Sequence, residues 1–307
     1  MPAGGPNGVE TATGQRYIAG AGLLSRLLTP GASRMASPTK DQIIDQLRIV
    51  KDPELHKDLV TLNMIKHVAV CDGQVKVHVE LTTPACPLKD TIRRDVTEAV
   101  SRLPGVRQVE LEFSAAVRAN RQTASQLPGV KNVVAIGAGK GGVGKSTAAV
   151  LLAVGLRRAG ARVGLMDADV YGPSIPTLMG IPHARPSVSG NNIVPIQAYD
   201  LSVISIGFMV DPDKALIWRG PMVHGVIKQF LDQVEWGELD YLIVDLPPGT
   251  GDVPLTLAQS IPMTGAAVIC TPQEVALVDA RRAVRMYQQL NVPCLGIIEN
   301  MSYYVCP

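Results

Sequence analysis

Residues Gly139 to Ser146 read GKGGVGKS: a glycine, four residues, then Gly-Lys-Ser. That spacing has a definite chemistry. Glycines let the backbone turn its N–H groups inward around a triphosphate, and the N-terminus of a following helix adds partial positive charge at the same place. Lys145 is expected to reach the β- and γ-phosphates, and the Ser146 hydroxyl to ligate magnesium. The set implied is Gly139, Lys140, Gly141, Gly142, Val143, Gly144, Lys145, Ser146 and Thr147. Two further segments, Leu165-Met166-Asp167-Ala168-Asp169 and Tyr241-Leu242-Ile243-Val244-Asp245, are apolar runs that end in acids. Open α/β sheets bind ligands beyond the C-terminal ends of their strands, so these carboxylates are expected to face the phosphates. Asp245 then belongs on a magnesium-bound water.

The motif needs a strand before it and a helix after it, and the sequence supplies both. Strands are expected at 133–137, 163–167, 203–206, 241–245, 266–270 and 294–298, and helices near 146–158, 222–234 and 275–290. Continuous apolar strands alternating with helices predict an α/β domain over 132–307, with a mostly parallel sheet covered on both faces. Residues 172–200 carry several prolines and read as a long loop with one hairpin. Upstream lies a second, smaller pattern. Thr39 and Gln42 fit a capping box, with Ile43, Ile44, Leu47 and Val50 on one helical face. Alternating valines on both sides of Asp72-Gly73 predict a hairpin. Helical spacing over 88–103 and alternation through Val109, Leu111 and Phe113 complete a small α-β-β-α-β (α+β) domain, assigned to 37–113. Residues 114–131 are polar and read as a linker.

Composition bounds what such a chain does. Its 29 basic and 27 acidic residues nearly cancel, which argues against a protein that coats nucleic acid. No apolar run approaches the ~20 residues of a membrane helix, so neither nucleic acid nor membrane is an expected partner. Five widely spaced cysteines are not a disulfide framework and point to a reducing compartment, with any exposed thiol free or on metal. Residues 1–36 are rich in small residues, with Arg16, Arg26 and Arg34 against the single acid Glu10. They read as a disordered tail, as sequence upstream of a start at Met35, or as an organelle transit peptide. The expected location is accordingly the cytoplasm, with the plastid stroma as the alternative.

Lys140 directly follows the first glycine of the loop, a position where an ordinary phosphate loop needs no lysine. This spelling resembles the deviant-loop ATPases, the family of MinD, the ParA partition proteins and the nitrogenase iron protein. The resemblance implies that ATP is the nucleotide and that Lys140 crosses a homodimer to the partner's nucleotide. It also implies that Asp169 positions or activates the attacking water, that Asp167 supports the magnesium shell and that residues 246–252 form the γ-phosphate switch. It gives the Asn300 amide the adenine to read. Lys140, Lys145 and Asp169 are thus the expected catalytic residues. Asp169-Val170-Tyr171-Gly172-Pro173-Ser174, Trp218-Arg219-Gly220-Pro221-Met222 and Glu299-Asn300-Met301-Ser302 look like the Mrp (ApbC/Nbp-type) branch. The 39–113 unit, with Thr83-Pro84-Ala85-Cys86-Pro87, resembles the iron–sulfur assembly domain often fused in front of it.

That branch is known for carrying [4Fe–4S] clusters to apo iron–sulfur proteins, so the function implied is an ATP-hydrolysing cluster carrier. A ParA/MinD-type positioning switch is the alternative, and a metabolic kinase or reductase subunit lacks a visible acceptor pocket. Cys270 and Cys294 lie in apolar strands and are expected to be buried, and Cys71 to be incidental. Cys86 precedes Pro87, a good first helical residue, which would put its sulfur at a helix N-terminus, where the thiolate is favoured. Cys306 begins the branch's Cys-x-x-Cys pattern, whose second cysteine falls beyond Pro307, so the chain is expected to be C-terminally incomplete. Thiolates from two subunits would hold a cluster at the dimer axis, joined by Cys86 if the linker permits. A flexible linker of this length reaches roughly 20–25 Å.

Overall fold

The chain enters its first helix, α1 (Lys40–Leu47), through the capping box read from the sequence. Thr39 Oγ1 accepts from Gln42 N, and Gln42 Oε1 accepts from Thr39 N. The computed structural model describes residues 37–209 and 220–306, all within one compact unit. The 1–36 tail, the Trp218-Arg219 pair and Pro307 lie outside the described residues. β1 (Ile65–Cys71) and β2 (Gln74–Leu81) form the expected hairpin, with Asp72 and Gly73 at φ 45° and 79° closing the turn. α2 (Lys89–Ser101) carries the chain back so that β3 (Gln108–Ala115) pairs with β2 in parallel. Ile43, Leu47, Val77, Val79, Ile92 and Val96 bury together between the helices and this three-stranded sheet.

The polar stretch after β3 is not bare coil. It contains α3 (Arg121–Gln126), capped by the Asn120 side chain, and Thr123 Oγ1 donates to Pro262 O at 2.9 Å. β4 (Val130–Ala138) follows, then α4 (Lys145–Arg158), β5 (Val163–Asp167) and the short α5 (Ile175–Leu178). The proline-rich stretch holds a hairpin, β6 (Ser187–Ser189) with β7 (Asn192–Val194), and then β8 (Ile196–Ala198), which turns back on β9 (Leu201–Ser205). α6 (Gly220–Asp232), β10 (Leu239–Asp245), α7 (Asp252–Ser260), β11 (Gly265–Cys270), α8 (Glu274–Gln289) and β12 (Cys294–Glu299) complete the order.

Among the described residues the large sheet runs β12-β11-β4-β10-β5-β9-β8, parallel except for β8. The chain leaves β4 for β5, and β10 later fills the place between them while β11 pairs on β4's other side. That reversal opens a crevice at the exit of β4, where open sheets take ligands. Alternate residues feed the two faces. Leu242 and Val244 join Phe230, Leu257 and Tyr287 on one side, and Ile243 joins Ala149, Ala153 and Leu165 on the other. β12 is exposed along its whole length, so Cys294, expected to be buried, is exposed. The reason is position: an apolar strand at a sheet edge has no second neighbour to cover it. Cys270, on the interior strand β11, is buried as expected.

Candidate nucleotide-binding site

The loop between β4 and α4 is shaped by two left-handed glycines. Gly142 and Gly144 stand at φ 77° and 87°, and Gly144 is the N-cap of α4 with no side-chain cap bond. The first-turn amides of a helix have no partner inside it. With no capping side chain here, they are left to an anion at the loop. Asn300, just past β12, braces the turn: its Nδ2 donates to Val143 O at 3.0 Å and its backbone N to Cys270 O at 2.8 Å. Gly139 is needed for another reason. A Cβ there would run into the backbone of Asp279 on α8, so the loop and α8 are in direct contact. A cleft of about 390 Å³ lies over the loop, lined by Lys140, Gly144, Lys145, Ser146, Asp169 and Pro248 among others.

Lys145 is buried, and its ammonium is held by acids. Nζ lies 2.7 Å from Asp245 Oδ1, 3.4 Å from Asp169 Oδ2 and 3.2 Å from Ser146 Oγ. The strands explain the convergence, because Asp245 and Asp167 are in-register partners at the exits of β10 and β5. Asp167 is fully buried. Its Oδ1 accepts from Asp169 N at 3.1 Å, and its Oδ2 from Ser205 Oγ at 2.9 Å and Ile175 N at 3.3 Å. Burial first, then the neighbouring Asp245 charge, push Asp167 up to about 7. Burial also pushes Asp245 up, against the pull of Lys145. Asp245 Oδ2 is buried and has no hydrogen-bond partner among the described residues. An orphaned oxygen on a carboxylate that shares the Lys145 ammonium with the Ser146 hydroxyl suits a hard, oxygen-seeking cation such as Mg²⁺.

The structure therefore gathers the loop residues, Asp167, Asp169, Asp245 and Asn300 at one end of the sheet. Ser205 belongs to the same group and carries no sequence signal beyond its place after an apolar run. The cysteines are not gathered. Helix α2 starts at Lys89, not at Pro87: Leu88 is its N-cap at φ −94° and ψ 5°, outside the helical region, and Pro87 and Leu88 form a turn closed by Lys89 N on Cys86 O at 3.4 Å. Cys86 is thus outside the helix end and half-buried against the small core. Its loop touches the opposite end of the large sheet, where Tyr241 Oη donates to Thr83 Oγ1 at 3.3 Å at the start of β10. Cys306 is exposed beyond the exit of β12. Among the described residues, no three His, Cys, Asp or Glu side chains are grouped to hold a metal ion, and no helix is long and apolar enough to cross a membrane.

Comparison with known proteins agrees with this geometry. The family described as NUBPL iron-transfer P-loop NTPase matches residues 129–307, and that described as iron–sulfur cluster assembly protein matches 40–111. An iron–sulfur cluster carrier protein of Synechocystis is 52% identical over 278 residues, 88% of this chain and 78% of the relative. One of Deinococcus radiodurans is 54% identical over 268 residues, 87% and 76% of the two chains. A solved nucleotide-binding protein of Archaeoglobus fulgidus, in complex with ADP, is 41% identical with a TM-score of 0.53, over 61% of this chain and 73% of that one. With its small unit, phosphate loop and exit acids following one another in that order, the chain belongs to the NUBPL-type iron-transfer P-loop NTPases.

Proposed function

We propose that the chain binds and hydrolyses ATP and carries iron–sulfur clusters, its cargo, to apo iron–sulfur proteins. The observation that supports this best is the Lys145 ammonium held between Asp245 and Asp169 beneath an uncapped helix end. A triphosphate in the loop competes with Asp245 for that ammonium and brings its γ-phosphate towards Asp169. Ser146 and the orphaned Asp245 Oδ2 are the groups to hold Mg²⁺, with Asp167 supporting them from behind. When bound, the ion would neutralise charge on the β- and γ-oxygens. Asp169, in the cleft, orients the attacking water and accepts its proton. Asn300 keeps its carbonyl oxygen for the adenine amino group while its amide nitrogen braces the loop. Lys140 lines the same cleft and serves a partner's phosphates in a homodimer. Cys306 is the thiolate offered to the cluster, and the unit around Cys86 assists delivery.

The test pairs ATP turnover with anaerobic cluster reconstitution on the same preparation. Lys145→Ala is expected to abolish nucleotide binding or turnover, because the triphosphate loses its main compensating cation. Unchanged affinity and hydrolysis in that variant overturn the nucleotide assignment. Cys306→Ala is expected to lower iron and acid-labile sulfide per dimer, and equal loading removes Cys306 as a ligand.

A further inference from the structure

Ser205 ends β9 and lies in register with Asp167 on β5, which in turn lies in register with Asp245 on β10. A row therefore crosses the exit edge of the sheet from a hydroxyl, through one buried acid, to the acid that holds Lys145. Ser205 is fully buried, as is Asp167. Its Oγ donates to Asp167 Oδ2 at 2.9 Å and accepts from Gly207 N at 3.0 Å. The second bond fixes the hydroxyl's role. Gly207 N can only donate, so the hydroxyl's single proton is left for Asp167 Oδ2.

Asp167 clamps the loop that follows it at both ends, by Asp169 N on one oxygen and Ile175 N on the other. Asp169 Oδ1 accepts in turn from Gly172 N at 3.3 Å, which leaves Oδ2 facing Lys145. The turn after Ser205 supports the same loop from below, since a Cβ on Gly207 would lie 3.2 Å from Pro176 and 3.3 Å from Pro173. The Asp169 carboxylate is therefore aimed by a carboxyl that is itself held by Ser205.

From this we infer that Ser205 is a positioning residue for ATP hydrolysis: its hydroxyl fixes Asp167, and through Asp167 sets the loop that presents Asp169 to the cleft. This rests on the hydrolysis reading above. The alternative is a Ser205 that only packs.

The experiment uses the full chain and two readouts. Ser205→Ala is expected to lower kcat about tenfold, the scale of leaving a buried acceptor without its hydrogen-bond partner, and to leave ATP affinity unchanged. Ser205→Thr, which keeps the hydroxyl, restores turnover. In an Asp169→Ala background, Ser205→Ala has no further effect. Independently of turnover, amide hydrogen exchange at Asp169 and Ile175 is expected to quicken about tenfold in Ser205→Ala, while the β4 and β10 amides keep their protection. A turnover within twofold of wild type, a further loss in the Asp169→Ala background, or unchanged exchange at both amides overturns the proposal. Loss of protection in β4 and β10 as well shows a general packing role and also overturns it. A wild-type protein that binds ATP without turning it over defeats the hydrolysis reading. The exchange arm then still decides whether Ser205 sets the loop.

Discussion

Asp167 accepts three hydrogen bonds and sits next to a second acid, Asp245. Burial and that neighbour raise it to about 7, against 3.8 for the free side chain. The folded state therefore holds its proton more tightly than the unfolded chain does. Stability from this group is complete below about pH 4 and is lost as the pH rises towards 7. Asp167→Asn cannot ionise, so the difference in unfolding free energy between wild type and variant is expected to slope between pH 4 and 7 and to level off above. Denaturant titrations across that range check it, and a flat difference refutes the shift. The pH slope, not the offset, carries the result, because Asn also replaces an acceptor oxygen with a donor. The phosphate loop was legible in the sequence because its chemistry is local: glycine spacing, a lysine and a serine lie in one run. Ser205 was not, because its meaning comes from being across a strand from Asp167 and not from any neighbour in sequence.

Helix α8 and strand β4 meet more closely than ordinary side chains allow. A Cβ on Gly137 would strike the buried Tyr287 hydroxyl, and one on Gly139 the Asp279 backbone. Gly139→Ala is expected to destabilise by about 1–3 kcal/mol, the usual cost of forcing extra atoms into a packed site. It should also weaken ATP binding, because the atom it strikes is backbone and the loop must move instead. Thermal unfolding with and without ATP measures both, and a variant with wild-type stability and affinity removes the close-packing argument. Elements whose signals are local were legible at this scale. The capping box at Thr39 and the Asp72-Gly73 turn stand where the pattern put them. Helix α7, which begins where the 246–252 switch segment ends, was not expected from the sequence, and it carries Pro254. The proline falls in the first turn, where no intrahelical N–H is required. The exposure of Cys294 was invisible for a different reason, since an edge strand and an interior strand read alike until the neighbours are known.

At the scale of the molecule, the proposed partner is a second copy. Sedimentation with a non-hydrolysable ATP analogue is expected to show a dimer that Lys140→Ala weakens. A wild-type chain that stays monomeric with nucleotide at high concentration rules out the exchange of Lys140. The family order of small unit before NTPase could be read from sequence, but the placement of the Cys86 loop could not, because one tyrosine hydroxyl on Thr83 marks it. Strand β10 has Tyr241 at its entry, against that loop, and Asp245 at its exit, on Lys145. Four steps of extended chain separate them by about 13 Å. The strand is thus a spacer between two ports. The Cys86 loop lies at the entry end of this strand and the nucleotide loop at its exit end, with Cys306 beyond the exit of the edge strand β12. If Cys86 and Cys306 both serve the cluster as proposed above, a hand-over between them spans the length of the sheet and requires either that the small unit leave Tyr241 or that one molecule deliver to another.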